Sequence, residues 1–348
     1  MKKTYLFIAL LAAMVLFLAA CGSSEEATTS TEESTGTSTT EGTNTDAESE
    51  GDGPVYPMTV SPTVASSESR DGSESYSFED VTFDKMPEKI AVFDYGFLDT
   101  LDALGVEGIV GVAKGTTMPA NLEKYNGDEY GSLGSLKEPL LEDIAEMAPD
   151  VIFISGRQSA FYEELKEIAP VVFVGTSETD YWNTFLASVD LAAKMFGKEA
   201  EAEEFKGKFD SALEEVKALA GNYETSLVTM YNEGNLAGFA TNSRFGYIYD
   251  IYGFKPVTDD IEASSHGSNF GFEALLEFNP QVLFVIDRTA AIGEKSNIDA
   301  DMENEIVKKT EAFQNERIVY LDGALWYLSG GGLQSELAKI EEILAELK

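Results

Sequence analysis

Glu273-Ala-Leu-Leu-Glu-Phe-Asn-Pro280-Gln-Val-Leu-Phe-Val-Ile286 repeats, about 130 residues further along the chain, the plan of Glu142-Asp-Ile-Ala-Glu-Met-Ala-Pro149-Asp-Val-Ile-Phe-Ile154. Each copy carries an acid, a short helical stretch, a proline that ends it, and an apolar run of strand length. A helix feeding a buried strand is half of a βα crossover, so each copy belongs in a parallel sheet covered by helices.

The neighbouring segments extend the same alternation. Lys89–Asp94 reads as a buried strand, followed by a helix through Leu98–Leu104 that ends at Gly105. Gly108–Val112 is a second strand, Val151–Ile154 a third and Val171–Val174 a fourth, with a helix over Phe161–Ile168. Ser226–Tyr231 opens the second half as a strand, and Arg317–Leu321 is another. Between the halves, Tyr181–Ala220 is almost continuously helical in pattern, broken only at Gly197. The expected fold is α/β: two similar lobes with largely parallel sheets, joined by one long helix, with a ligand cleft between them. The expected boundaries are a lobe at 77–196, a linking helix at 197–221 and a second lobe at 222–348.

The amino terminus has a different character. Lys2 and Lys3 precede an unbroken apolar run that ends in Leu18-Ala19-Ala20-Cys21, and Cys21 is the only cysteine in the 348 residues. The run is short for a bilayer span and has the charged start and small-residue finish of a secretory signal over 1–20. The tetrapeptide resembles a bacterial lipobox, which implies a diacylated Cys21 as the mature N-terminus. Residues 21–76 are rich in Ser, Thr, Glu and Gly and are expected to form a disordered tether. With one cysteine there is no disulfide framework and no Cys-based metal site. The net charge of −38 exceeds what the tether supplies and argues against nucleic acid or anionic lipid as a partner.

Arginine is scarce against that acidic background: Arg70, Arg157, Arg244, Arg288 and Arg317 are the five present. Arg157 and Arg288 follow the two equivalent strands of the repeat, at carboxyl ends where open α/β sheets bind ligands. Arg244 lies in the polar turn Thr241-Asn-Ser-Arg-Phe-Gly246. Guanidinium forks stay charged when desolvated and match fixed arrays of oxygen acceptors, so three in one cleft suit a polyanionic ligand. The competing reading is three surface arginines paired to nearby acids. The sole histidine, His266, lies in a polar loop, and Tyr327 lies in Leu-Trp-Tyr-Leu-Ser-Gly-Gly-Gly332. The glycines lack a following Gly-Lys-Ser/Thr, and no Gly-x-Ser-x-Gly elbow is present, so nucleotide-loop and hydrolase readings are weak.

Several blocks together resemble the ferric-siderophore-binding lipoproteins that feed ABC importers, with a particular similarity to the petrobactin and bis-catecholate binders. They are Gly131-Ser-Leu-Gly-Ser-Leu-Lys-Glu-Pro139, Ile154-Ser-Gly-Arg-Gln-Ser159, Ser243-Arg-Phe-Gly246, Ala263-Ser-Ser-His-Gly267, Leu283-Phe-Val-Ile-Asp-Arg288 and Trp326-Tyr-Leu-Ser-Gly-Gly-Gly-Leu333. The resemblance implies a membrane-anchored, monomeric binding protein on the extracellular face, not an enzyme and without a cofactor. It delivers a ferric catecholate siderophore to an importer permease. It implies that Arg157, Arg244 and Arg288 hold the catecholate oxygens. It further implies that His266 and Tyr327 complete the iron shell of tetradentate siderophores, and that Glu142 and Glu273 dock the permease. The alternatives are another iron chelate, such as a hydroxamate siderophore or haem, or a lipid-anchored surface hydrolase. Attraction within a low-dielectric cleft outweighs the acidic exterior, which is screened beyond a Debye length of roughly 8–10 Å.

Overall fold

The structure, a computed structural model, describes residues 53–69, 72–261 and 267–348. Cys21, the leader and His266 lie outside the described residues. Among the described residues, no helix is long and apolar enough to cross a membrane.

The first described segment overturns part of the tether expectation. β1 (Met58–Val60) pairs antiparallel with β4 (Val81–Phe83), and β2 (Ser66–Glu68) with β3 (Ser75–Ser77). Ordered structure therefore already includes residues 53–69 and 72–76, which the tether expectation covered. A few apolar anchors in a serine-rich stretch are the physical reason. Val60, Phe78 and Phe83 are buried, and the Phe78 ring stacks on Phe173 with centroids 4.1 Å apart. Burying one such side chain contributes about 1.5–3 kcal/mol. The backbone is also satisfied: Thr63 donates its N–H to the Phe173 carbonyl at 3.0 Å and its hydroxyl to the Gly175 carbonyl at 2.6 Å.

Two five-stranded sheets follow. The first comprises β5 (Ile90–Val92), β6 (Ile109–Val112), β7 (Gly131–Ser132), β8 (Val151–Ile154) and β9 (Val171–Phe173), all parallel, in the order β7-β6-β5-β8-β9. The second comprises β10 (Ser226–Asn232), β11 (Asn235–Phe239), β12 (Ser268–Phe270), β13 (Val282–Asp287) and β14 (Ile318–Leu321), in the matching order β12-β11-β10-β13-β14. The interior strands β8 and β13 are buried almost throughout, as a strand covered on both faces must be.

The two α/β lobes expected from the repeat are present, with one departure. β11 runs antiparallel to both of its neighbours, whereas its counterpart β6 is parallel. A two-residue turn replaces the crossover: Glu233 and Gly234 both take positive φ, 50° and 84°, the backbone of a tight hairpin whose twist matches the strands. The repeated helices are otherwise alike. Leu141–Met147 and Phe272–Phe278 each end on a left-handed residue, Ala148 and Asn279, just before Pro149 and Pro280.

Helices Tyr181–Phe196 and Glu199–Ala220 occupy the chain between the sheets, separated at the left-handed Gly197. The last helix, Leu333–Leu347, packs on Glu199–Ala220 and returns to Tyr95–Ala103 at the start of the first lobe. Asp99 and Thr100 accept the otherwise orphaned N–H groups of Ser335 and Leu333 at its N-terminus, at 2.8 and 3.3 Å. The glycines before it make that approach possible. A Cβ on Gly96 would lie 1.9 Å from the Gly330 carbonyl oxygen, and one on Gly332 would lie 2.2 Å from Asp99 Oδ2. Close packing thus accounts for Gly96 and Gly332, and a left-handed φ of 78° for Gly331, and the 222–348 boundary understates how far the carboxyl terminus belongs to both lobes.

Candidate functional site

Strand ends and short turns bring the three arginines to one point. Ile154 ends β8, and Ser155 caps the short turn Gly156–Phe161 through a reciprocal pair with Gln158. Gln158 is pinned in turn to the Leu136 carbonyl. This fixes Arg157 at the carboxyl end of the first sheet. At the equivalent end of the second, Asp287 accepts the Ala290 N–H at 3.0 Å and starts the helical turn Arg288–Ala291. Arg244 projects from the turn after β11, where Asn242 supplies a left-handed residue and the buried Ser243 hydroxyl donates to the Ala240 carbonyl.

All three converge on Tyr327, in a single π-helical turn, Ala324–Leu328. Arg157 and Arg244 both donate to the Tyr327 carbonyl oxygen, at 3.3 and 2.5 Å. Arg288 donates from Nε to the Tyr327 phenol oxygen at 3.0 Å and from Nη1 to Asn232 Oδ1 at 2.6 Å. The Arg244 guanidinium also lies over the Tyr327 ring, 4.5 Å from its centroid. Among the described residues, none of the three arginines forms a salt bridge. No ion pair among the described residues matches the competing reading of surface arginines paired to nearby acids; Asp94 is the one carboxylate whose charge acts on Arg157. Arg317 is elsewhere, stacked over Tyr223.

The electrostatics follow from this crowding. Burial and then the neighbouring Arg244 charge hold Arg157 below the usual arginine value, despite Asp94. Burial by itself would raise the Tyr327 phenol. The charge of Arg244, the Arg288 hydrogen bond and the remaining guanidinium charges outweigh it, leaving Tyr327 below the ordinary tyrosine value. Burial pushes the Asp94 carboxyl up, against the Phe97 N–H, the Ser155 hydroxyl and Arg157.

The arginines line a cleft of about 720 Å³, within the range of small-molecule sites. Residues of both lobes form it. An aromatic stack underlies it: Tyr181 and Tyr247 lie 4.3 Å apart at 12°, and Tyr247 and Trp326 lie 6.1 Å apart at 4°. Trp326 Nε1 is anchored by Glu342 at 2.5 Å.

A profile of the periplasmic binding proteins matches residues 90–325 of this chain, which include both five-stranded sheets and all three cleft arginines. The chain belongs to the periplasmic binding protein family. Petrobactin-binding protein YclQ of Bacillus subtilis is 41% identical over 260 residues, 74% of this chain and 82% of that protein. Its crystal structure superposes with a TM-score of 0.76 at 38% identity, covering 84% of this chain and 98% of that one. Ferric-anguibactin-binding protein FatB of Vibrio anguillarum is 32% identical over 268 residues, 74% of this chain and 82% of that protein. The catecholate-siderophore binding protein VctP of Vibrio cholerae superposes with a TM-score of 0.70 at 33% identity, covering 77% of this chain and 95% of that one. Relatives and fold are those of a substrate-binding protein, not an enzyme.

In this periplasmic binding protein, Glu142 and Glu273 are exposed in the first turns of the two repeated helices. A crossover helix runs opposite to the strand it feeds, so each glutamate lies at the strand end of its lobe that faces the cleft. Among the described residues, no group of three or more His, Cys, Asp or Glu side chains is placed to hold a metal. Sequence reasoning missed Asn232, which orients Arg288, and Asp94 on the cleft wall. It also missed the aromatic floor and the stretch Ser66–Ser69, which lines the same cleft. Asn232 sits beside the Glu233–Gly234 turn, a signal that was available in the sequence.

Proposed function

We propose that this chain captures a ferric catecholate siderophore of the petrobactin class between its lobes and delivers it to an ABC importer. The observation that carries the reading is the convergence of Arg157, Arg244 and Arg288 on one point, with no salt bridge to a carboxylate among the described residues. Three like charges held together in a half-buried cleft are unfavourable until an anion arrives. A ferric catecholate, negative and faced with oxygens, relieves the repulsion and satisfies the forks. The relatives support it, since YclQ and FatB carry names for ferric-siderophore ligands.

Tyr327 fits a further role. Its phenol is held by Arg288 and lowered by the surrounding guanidinium groups, which favours the phenolate that ferric iron prefers. With a tetradentate siderophore, which leaves two iron positions open, Tyr327 and His266 fill them; with a hexadentate one they supply only packing. Cys21 carries the lipid that keeps the protein on the outer face of the membrane, and residues 21–52 serve as the tether.

Delivery is tested separately from capture. The like placement of Glu142 and Glu273, one per lobe, suits docking onto two basic pockets of a permease. Glu142→Lys with Glu273→Lys is expected to leave siderophore affinity unchanged and to abolish uptake of iron-loaded siderophore by cells. Uptake at the normal rate would remove the docking role while leaving the binding function intact.

A further inference from the structure

Among the described residues, five large apolar side chains are exposed: Val55, Met86, Leu140, Leu276 and Tyr320. Single exposed hydrophobics are ordinary on a protein surface. The placement of two of these is not. Leu140 immediately precedes the helix Leu141–Met147 and Leu276 lies within Phe272–Phe278, so each of the two repeated helices carries one. Leu276 stands three residues after Glu273 and shares a helix face with it and with Glu277. The same face of the first helix carries Glu142, Ala145 and Glu146, all exposed. The lobes therefore match there in their glutamates and differ in where the leucine stands.

Both leucines are held in place from behind. The Leu140 N–H donates to the Leu133 carbonyl at 2.9 Å, closing a loop in which Ser135 Oγ accepts the N–H groups of Lys137 and Glu138 at 3.2 and 3.0 Å. Leu276 follows Leu275, which is fully buried. Neither leucine lines the cleft, so ligand capture makes no use of them. Covering them would order little that is not ordered already. The surroundings say what covers them. An acidic face calls for a basic partner, and an exposed ion pair contributes little until water is excluded around it. An apolar contact beside each glutamate excludes that water. We propose that Leu140 and Leu276 are the apolar anchors with which this chain docks on the importer permease, each seated beside a basic pocket. This rests on the docking role proposed above for Glu142 and Glu273 and adds to it the chemistry of the partner's surface.

Leu140→Ser, Leu276→Ser and the two combined are compared by thermal unfolding, by siderophore titration of the purified protein, and by uptake of iron-loaded siderophore into cells whose own copy is replaced by the full-length variant. Unfolding temperature and siderophore affinity are expected to be unchanged. Uptake is expected to fall about tenfold for each single variant and further for the pair, the scale of burying part of a leucine side chain. Leu140→Met with Leu276→Met keeps the apolar volume and should keep uptake. Met86→Ser is the control: Met86 is 42% exposed, against 47% and 39% for the two leucines, but it precedes β5 at the amino end of the first sheet. Normal uptake by the double serine variant, with Glu142→Lys and Glu273→Lys abolishing it, overturns the anchors while the docking role stands. Equal losses in the methionine pair or in Met86→Ser overturn them as well. Normal uptake by both the serine and the lysine pairs removes the docking role and the anchors together.

Discussion

Arg157→Ala, Arg244→Ala and Arg288→Ala are each expected to weaken ferric catecholate binding by about 1.5–3 kcal/mol, and Arg317→Ala to leave it unchanged. The range is that of hydrogen bonds to charged groups, and each arginine has a distinct geometric reason to fall within it. Arg157 and Arg288 stand at equivalent strand ends of the two lobes, so losing either removes one side of the grip. Arg244 lies over Tyr327 and shares its carbonyl with Arg157, so its removal also loosens the ring. The Arg244 variant should accordingly show the largest loss when the arginines are compared by titration. Arg317 stacks on Tyr223 outside the cleft and serves as the control. Equal, small losses at all four positions would mean that the convergence on Tyr327 has no bearing on binding.

Glu336→Ala is expected to destabilise the fold by about 3–5 kcal/mol, the cost of leaving a buried charge without its partner. Glu336 and Lys339 are both 0% exposed, one turn apart on the last helix, with Lys339 Nζ 2.6 Å from Glu336 Oε1. Tyr181 donates its hydroxyl to the same oxygen, and the Gly331 N–H donates to it at 3.0 Å. The Lys339 ammonium lies 5.6 Å from the Trp326 ring centroid and 5.9 Å from that of Tyr247. Burial, followed by the nearby Glu336 charge, accordingly pushes the Tyr181 phenol well above its ordinary value. The pair therefore sits directly beneath the aromatic floor of the cleft and ties the last helix to the first lobe. Glu336→Leu combined with Lys339→Met should recover much of the loss, because a matched apolar pair leaves no stranded charge. Urea unfolding of the single and double variants reads both effects. A single variant as stable as wild type would show that the pair does not hold the floor.

The repeat around Pro149 and Pro280 carried the fold because both of its parts are local: a short helix stopped by proline and a buried strand of fixed length. The arginines were legible for a related reason, since Arg157 and Arg288 inherit their positions from those strands. Other features depend on contacts distant in sequence. β2 reads as tether because its serines are typical of one, and its order comes from Phe173, Gly175 and Ser159, about a hundred residues away. The missing Gly-Lys-Ser/Thr already weakened a phosphate-loop reading of Gly330–Gly332, but their packing against the helix Tyr95–Ala103 depends on a contact distant in sequence. The reversal of β11 was local and readable, since Asn232-Glu-Gly-Asn235 is a hairpin turn, but the parallel plan of the first lobe obscured it. The Glu336–Lys339 pair had no distinguishing mark, because charges three residues apart on a helix are usually solvated.

The central claim is that the cleft selects an anionic ferric chelate. The most direct test is a fluorescence titration of the wild-type protein with two iron complexes of similar size, a ferric catecholate and a ferric hydroxamate. Trp326 lines the cleft and reports occupancy. The hydroxamate complex is neutral or cationic and gives the three guanidinium groups nothing to neutralise. The account predicts saturable one-to-one quenching by the catecholate and none by the hydroxamate at the same concentrations. Equal quenching by both, or saturation by the hydroxamate alone, would contradict it.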